Sequence, residues 1–205
     1  MENSQIQRSE SETADSNLEK IQQYQNEYYR TNPKNTFFKK AQKQDCAESI
    51  CNKISLEDLM NSTFWIVPNK NQLYFDYRIF KVFGNPANYP EIVENVLRLC
   101  RWCVDEYGTF DIHVNISSFT ISAAERYKDL IMLFCDECMK QDTCFSELLN
   151  EMCFHNTPNS IDQISKMIMP MLPVEVRPKL RLCKKEQSTE ILKQLYEESC
   201  KIYSP

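Results

Sequence analysis

The chain has 205 residues, 42% of them hydrophobic and 26% charged, proportions that suit one globular domain with an appended polar segment. A formal net charge of -5 supplies no positive field to attract nucleic acid, and two glycines as far apart as Gly84 and Gly108 cannot build a Gly-rich phosphate loop, which excludes Walker-type and dinucleotide-binding sites. No run approaches the ~20 apolar residues of a bilayer span, and the N-terminus carries no apolar signal core, so the ten cysteines read as thiols of a reducing, cytoplasmic compartment and not as a disulfide framework.

Residues 1–40 are polar and too poor in apolar side chains to bury a core, and they read as a disordered or weakly helical tail preceding a domain over 41–205. Within the tail, Ser16-Asn-Leu-Glu19 looks like a capping box that opens an amphipathic stretch through Leu18, Ile21, Tyr24 and Tyr28 and ends before Pro33. That stretch is either a solvated helix or a docking peptide. Thr63-Phe-Trp-Ile-Val67 is a short apolar run stopped by Pro68. Leu73, Phe75, Tyr77 and Ile79 then alternate with polar neighbours, the period of two that predicts a half-buried strand. From Tyr89 to Tyr107 the apolar residues Val93, Val96, Leu97, Cys100 and Val104 recur at helical spacing, with Pro90 in the first turn and Gly108 placed to end the helix.

Phe110, Ile112, Val114 and Ile116 alternate with Asp111, His113, Asn115 and Ser117, which predicts a second strand and completes a strand, helix, strand order. A helix over 122–139, a polar break at Lys140-Gln-Asp-Thr143 and an apolar Phe145–Leu149 segment follow. Met152-Cys-Phe-His155 reads as a short strand, Asn156-Thr-Pro158 as a turn, and Ile161 to Leu172 as a helix with a strongly apolar face, stopped by Pro173. A strand over Val176–Cys183 and a helix over 188–203 close the chain. This order predicts an α/β fold with a mainly parallel β-sheet flanked by helices.

Three segments carry a family resemblance. Phe110–Ser122 is an apolar strand with a small-residue turn and Phe119 before the next helix, with Asn115 and Ser118 where the family has Asp and Gly. Met152–Pro158, a strand ending in an Asn-x-Pro turn, is the most specific, and Ile168–Leu180 is similar to the family's helix, Pro, Leu and basic strand start. Over about residues 72–196 the chain resembles the CRAL-TRIO lipid-binding domain in a divergent, shortened form. It departs from that pattern at Cys144-Phe-Ser-Glu-Leu148, which lacks the Pro and the basic residue, and in having only the polar tail where lipid-transfer members carry a helical lobe. The resemblance implies a CRAL-TRIO-like fold and a lipid or other apolar ligand, with the Ile161–Leu172 helix similar to the family's gate.

On these grounds Ile164, Met167, Ile168 and Met171 are candidate ligand contacts, methionine being flexible enough to pack on acyl chains. Packing of the same face on the sheet is the alternative. Arg177, Lys179 and Arg181, alternating with apolar residues and followed by Lys184-Lys185, are candidates for an anionic headgroup on a lipid or membrane surface, or else guards of an edge strand. A protein-protein interaction module on the same fold is the alternative function. No enzyme and no cofactor are expected, because His113 and His155 sit on polar strand phases outside any nucleophile elbow or metal triad. The two C-x-x-C pairs, Cys100/Cys103 and Cys135/Cys138, have zinc-ligand spacing, but they lie on apolar helix faces and read as buried thiols.

Overall fold

The computed structural model describes residues 14–35, 37–140 and 145–200. Its centre is a five-stranded sheet in the order β1 (Phe64–Ile66), β2 (Gln72–Asp76), β3 (Phe110–Asn115), β4 (Leu149–His155) and β5 (Leu180–Leu182). The β1/β2 pair is antiparallel and the other three pairs are parallel. This is the α/β fold with a mainly parallel sheet that the order of elements predicts.

Parallel neighbours need long crossovers, and the helices supply them. Between β2 and β3 run α4 (Tyr77–Phe83) and α5 (Tyr89–Tyr107). Between β3 and β4 run α6 (Ile121–Arg126), α7 (Lys128–Lys140) and the short α8 (Phe145–Leu148), and between β4 and β5 runs α9 (Ile161–Ile168). Helix α5 follows the sequence reading residue for residue, with Pro90 in its first turn and Gly108 at φ +79 as a left-handed cap whose N–H donates to the Val104 carbonyl. Helix α10 (Lys185–Cys200) lies on the opposite sheet face, where Leu192 and Leu195 pack with Trp65, Val67 and Tyr74. With helices on both faces, strands β2 and β3 are buried on both sides: Tyr74, Asp76, His113 and Asn115 are inaccessible, as Leu73 and Val114 are.

Several predicted elements end elsewhere. The strand read through Ile79 stops at Asp76, whose carboxylate accepts the Arg78 N–H and caps α4. The helix over 122–139 is two helices broken at Tyr127, with Thr120 capping the first through the Ala123 N–H. The helix from Ile161 ends at Ile168 and passes into a 3-10 turn at Met169–Met171 around Pro170, which has no N–H to continue the ladder. Arg177–Lys179 form a second 3-10 turn around Pro178, so β5 is three residues long where a strand over 176–183 was expected. Of the polar break at 140–143, residues 141–143 lie outside the described residues, as does the predicted end of the last helix at 201–203.

The stretch expected as a tail contains α1 (Ala14–Thr31), which begins two residues before the Ser16 box and packs on α2 (Lys39–Cys51) and α4. Ile21 is 0% exposed in the cluster formed by Leu59 of α3 (Leu56–Thr63), Phe80 and Phe83, with Tyr24, Tyr28 and Tyr29 against it. A sparse apolar stripe suffices because the aromatic side chains of α4 complete the pocket it enters.

Candidate functional site

Strand alternation sends two sets of side chains to opposite faces. On one face Leu73, Phe75, Ile112, Val114, Met152, Phe154, Leu180 and Leu182 form the floor of a cavity of about 280 Å³. Helices α5, α7 and α9 and the 3-10 turn after α9 form its walls and roof through Val96, Phe134, Ile164, Ile168, Met169 and Leu172. The lining is almost wholly apolar, Ser146 and Ser165 being its two serines. At about 24 cal/mol per Å³ an empty apolar space of 280 Å³ costs on the order of 7 kcal/mol relative to a filled one. That is comparable to the whole stability of a domain, which is about 5–15 kcal/mol. A hydrophobic occupant recovers this cost, while water, finding no polar partners, does not. A second depression, about 460 Å³ along α1, is lined by Glu19, Gln22, Gln23, Asn26, Glu27 and Arg30, and this polar face of one helix has no apolar floor.

The sequence-derived candidates divide. Ile164 and Ile168 line the cavity, on the ridge Ile161, Ile164, Ser165, Ile168 that α9 presents to it, whereas Met167 and Met171 are half-buried outside the lining and Met169 takes the place they were given. Arg177 and Lys179 do not stand on a strand face. The Lys179 ammonium donates to the carbonyls of Ser146, Glu147 and Leu149 and so closes the C-terminal end of α8. Arg177 Nε donates to the Leu172 carbonyl at 3.2 Å, beside cavity-lining residues. Arg181 points to the face away from the cavity and pairs with Glu151 at 3.3 Å.

The C-x-x-C pairs come to lie on the inner sides of α5 and α7, and Cys100, Cys135 and Cys138 are part of the cavity wall. Burial pushes the Cys135 thiol up to about 11 and Cys138 to about 12, so they are neutral, apolar lining at physiological pH.

The opposite face is closed by α10 and carries buried polar groups beside the Trp65 and Leu192 cluster. Asp76, 0% exposed, holds Arg78 through Nη2 at 2.6 Å and Nε at 3.1 Å and accepts the Tyr196 hydroxyl at 2.8 Å. Tyr74 Oη lies 3.0 Å from that of Tyr196, so the network pins α10 to the sheet. Beside it His113, Cys153 and His155 come together, although no sequence motif joined them. The ring nitrogens His113 Nδ1 and His155 Nε2 are 3.0 Å apart, and one donates to the other. Burial, then the neighbouring His113, lower His155 to about 4, and burial lowers His113, so both rings are neutral near pH 7. The trace in the sequence was Cys153-x-His155, whose spacing of two puts both side chains on one strand face.

Among the described residues no helix is long and apolar enough to cross a membrane. The family model of the CRAL/TRIO domain matches residues 92–202, which takes in the cavity from α5 to β5 and more than half of the chain. No curated protein matches the chain.

Proposed function

This chain belongs to the CRAL/TRIO domain family, which binds lipids and small hydrophobic ligands, and from that premise we propose that it takes up a single-chain lipid in the cavity between the sheet and α5, α7 and α9. The observation that carries the reading is the lining, which is almost wholly hydrocarbon and includes no Asp, Glu, His, Lys or Arg among the described residues. The 280 Å³ volume stands at the lower edge of the roughly 300–1,000 Å³ of small-molecule pockets, which favours one slim chain over a two-chain phospholipid. Leu182, 45% exposed yet part of the lining, marks where the cavity meets solvent, and the α9 ridge is the gate segment.

Of the three basic candidates, Arg177 suits the polar end of such a ligand, because among the described residues nothing engages its Nη1 and Nη2, which can take a carboxylate while Nε stays on the Leu172 carbonyl. The test is native mass spectrometry and organic extraction of the purified protein, followed by titration with oleate and with oleyl alcohol. The reading expects a noncovalent apolar ligand or saturable oleate binding, and Arg177→Glu weakens oleate but not oleyl alcohol. Recovery of a stoichiometric protein partner, with neither extractable lipid nor binding of the two probes, replaces it with a protein-interaction module.

A further inference from the structure

We propose that His113, Cys153 and His155 form a binding site for a transition-metal ion, zinc being the best fit, on the sheet face opposite the apolar cavity. The register builds it. Parallel pairing of β3 and β4 sets His113 beside Cys153, and His155 follows two residues on, so all three side chains leave the sheet on the same side. Their donor atoms lie within 4.8 Å of one another. Zn–N bonds of about 2.0–2.1 Å and a Zn–S bond of about 2.3 Å place the donors of a tetrahedral site roughly 3.3–3.7 Å apart. The imidazole nitrogens, now 3.0 Å apart, need to open by only a few tenths of an ångström.

Composition points to the same class of ion. Two imidazoles and a thiol suit zinc or copper, whereas magnesium and calcium require oxygen ligands. His155 is 0% exposed, and the nitrogen it turns toward His113 is Nε2, so an ion between the rings takes that lone pair while Nδ1 keeps the proton. On metal binding the Cys153 thiol gives its proton to solvent as sulfur takes the ion, and each ring contributes one neutral nitrogen lone pair. With its ligands only 0–8% exposed, the site has no room for a substrate, and its role is to clamp the two central strands under α10.

The experiment titrates Co²⁺ into the reduced, chelator-treated full chain. The site expects a thiolate-to-cobalt charge-transfer band with tetrahedral d–d bands, saturating at about one equivalent and displaced by zinc. Cys153→Ser abolishes the charge-transfer band, His155→Gln weakens binding at least about tenfold, and Cys103→Ser leaves both intact. A readout that needs no variant is the imidazole ¹⁵N spectrum of the wild type. The chain has two histidines, and both shift with stoichiometric zinc. Zinc at about a hundred times its dissociation constant also raises the melting midpoint by roughly 5–10 °C. A folded wild type whose imidazole nitrogens ignore zinc, or a cobalt band that survives Cys153→Ser or vanishes in Cys103→Ser, overturns the site.

Discussion

Val96→Phe on α5 tests whether the space under that helix is real and whether it is the ligand site. Val96 is half-buried, packs against both large core clusters and lines the cavity. The substitution adds four carbons. In a filled core such an insertion costs about 1–3 kcal/mol through strain. Directed into a 280 Å³ apolar void, the same carbons gain up to about 3 kcal/mol at roughly 0.8 kcal/mol per methylene. For a chain of 205 residues each kcal/mol moves the midpoint by about 2–4 °C. The delipidated variant is therefore expected to melt between the wild-type temperature and roughly 10 °C above it, read by circular dichroism. Titration with cis-parinaric acid should meanwhile show binding weakened at least about tenfold, a loss of about 1.4 kcal/mol. A lower melting temperature with unchanged probe affinity refutes the reasoning, since the new ring would then be crowding a packed core while the probe bound elsewhere.

Three further substitutions address the scaffold. Ile21→Ala removes the apolar anchor of α1 and should cost about 2–4 kcal/mol in chemical denaturation, whereas a solvated α1 predicts a change near zero. Gly108→Ala meets no neighbouring atom but holds φ at +79, so a loss of about 1–2 kcal/mol from backbone strain alone is expected, and an unchanged midpoint in urea would contradict it. Asp76→Ala leaves Arg78 and the Tyr196 hydroxyl without their shared acceptor, loosens the Tyr196 hydroxyl that pairs with Tyr74, and should cost on the order of 3 kcal/mol, with faster amide exchange in α10 than in α5.

Local rules read well wherever a segment's own side chains decide its conformation. Helix α5 is the clearest instance, because the spacing of its apolar residues, Pro90 and Gly108 all act within four residues along the chain. The same rules misread 77–79 and 176–179. Alternation there is compatible with a strand, yet the Asp76 cap and the N–H missing at Pro178 favour turns of helix. On α9 the apolar face was legible as far as Ile164 and Ile168, since an amphipathic helix must bury one side. Met167 and Met171 fall outside the cavity lining because the angular phase of the helix puts Ile161, Ile164, Ser165 and Ile168 on one ridge.

From its order of strands and helices, and from three segments resembling a family, the sequence by itself determined an α/β fold with a parallel sheet and an apolar ligand as its expected cargo. Periodicity is enough for the fold, because it is a property of neighbours in the chain, while the ligand is what the resemblance implies. Only the tertiary structure decided where the cavity lies, that the Lys179 ammonium closes α8, and that α1 docks on the core. It alone also brought His113 to Cys153 and His155. That meeting depends on which strands pair and in what register, and register is set by the packing of every helix on both faces of the sheet, a sum over contacts that no local stretch of sequence contains.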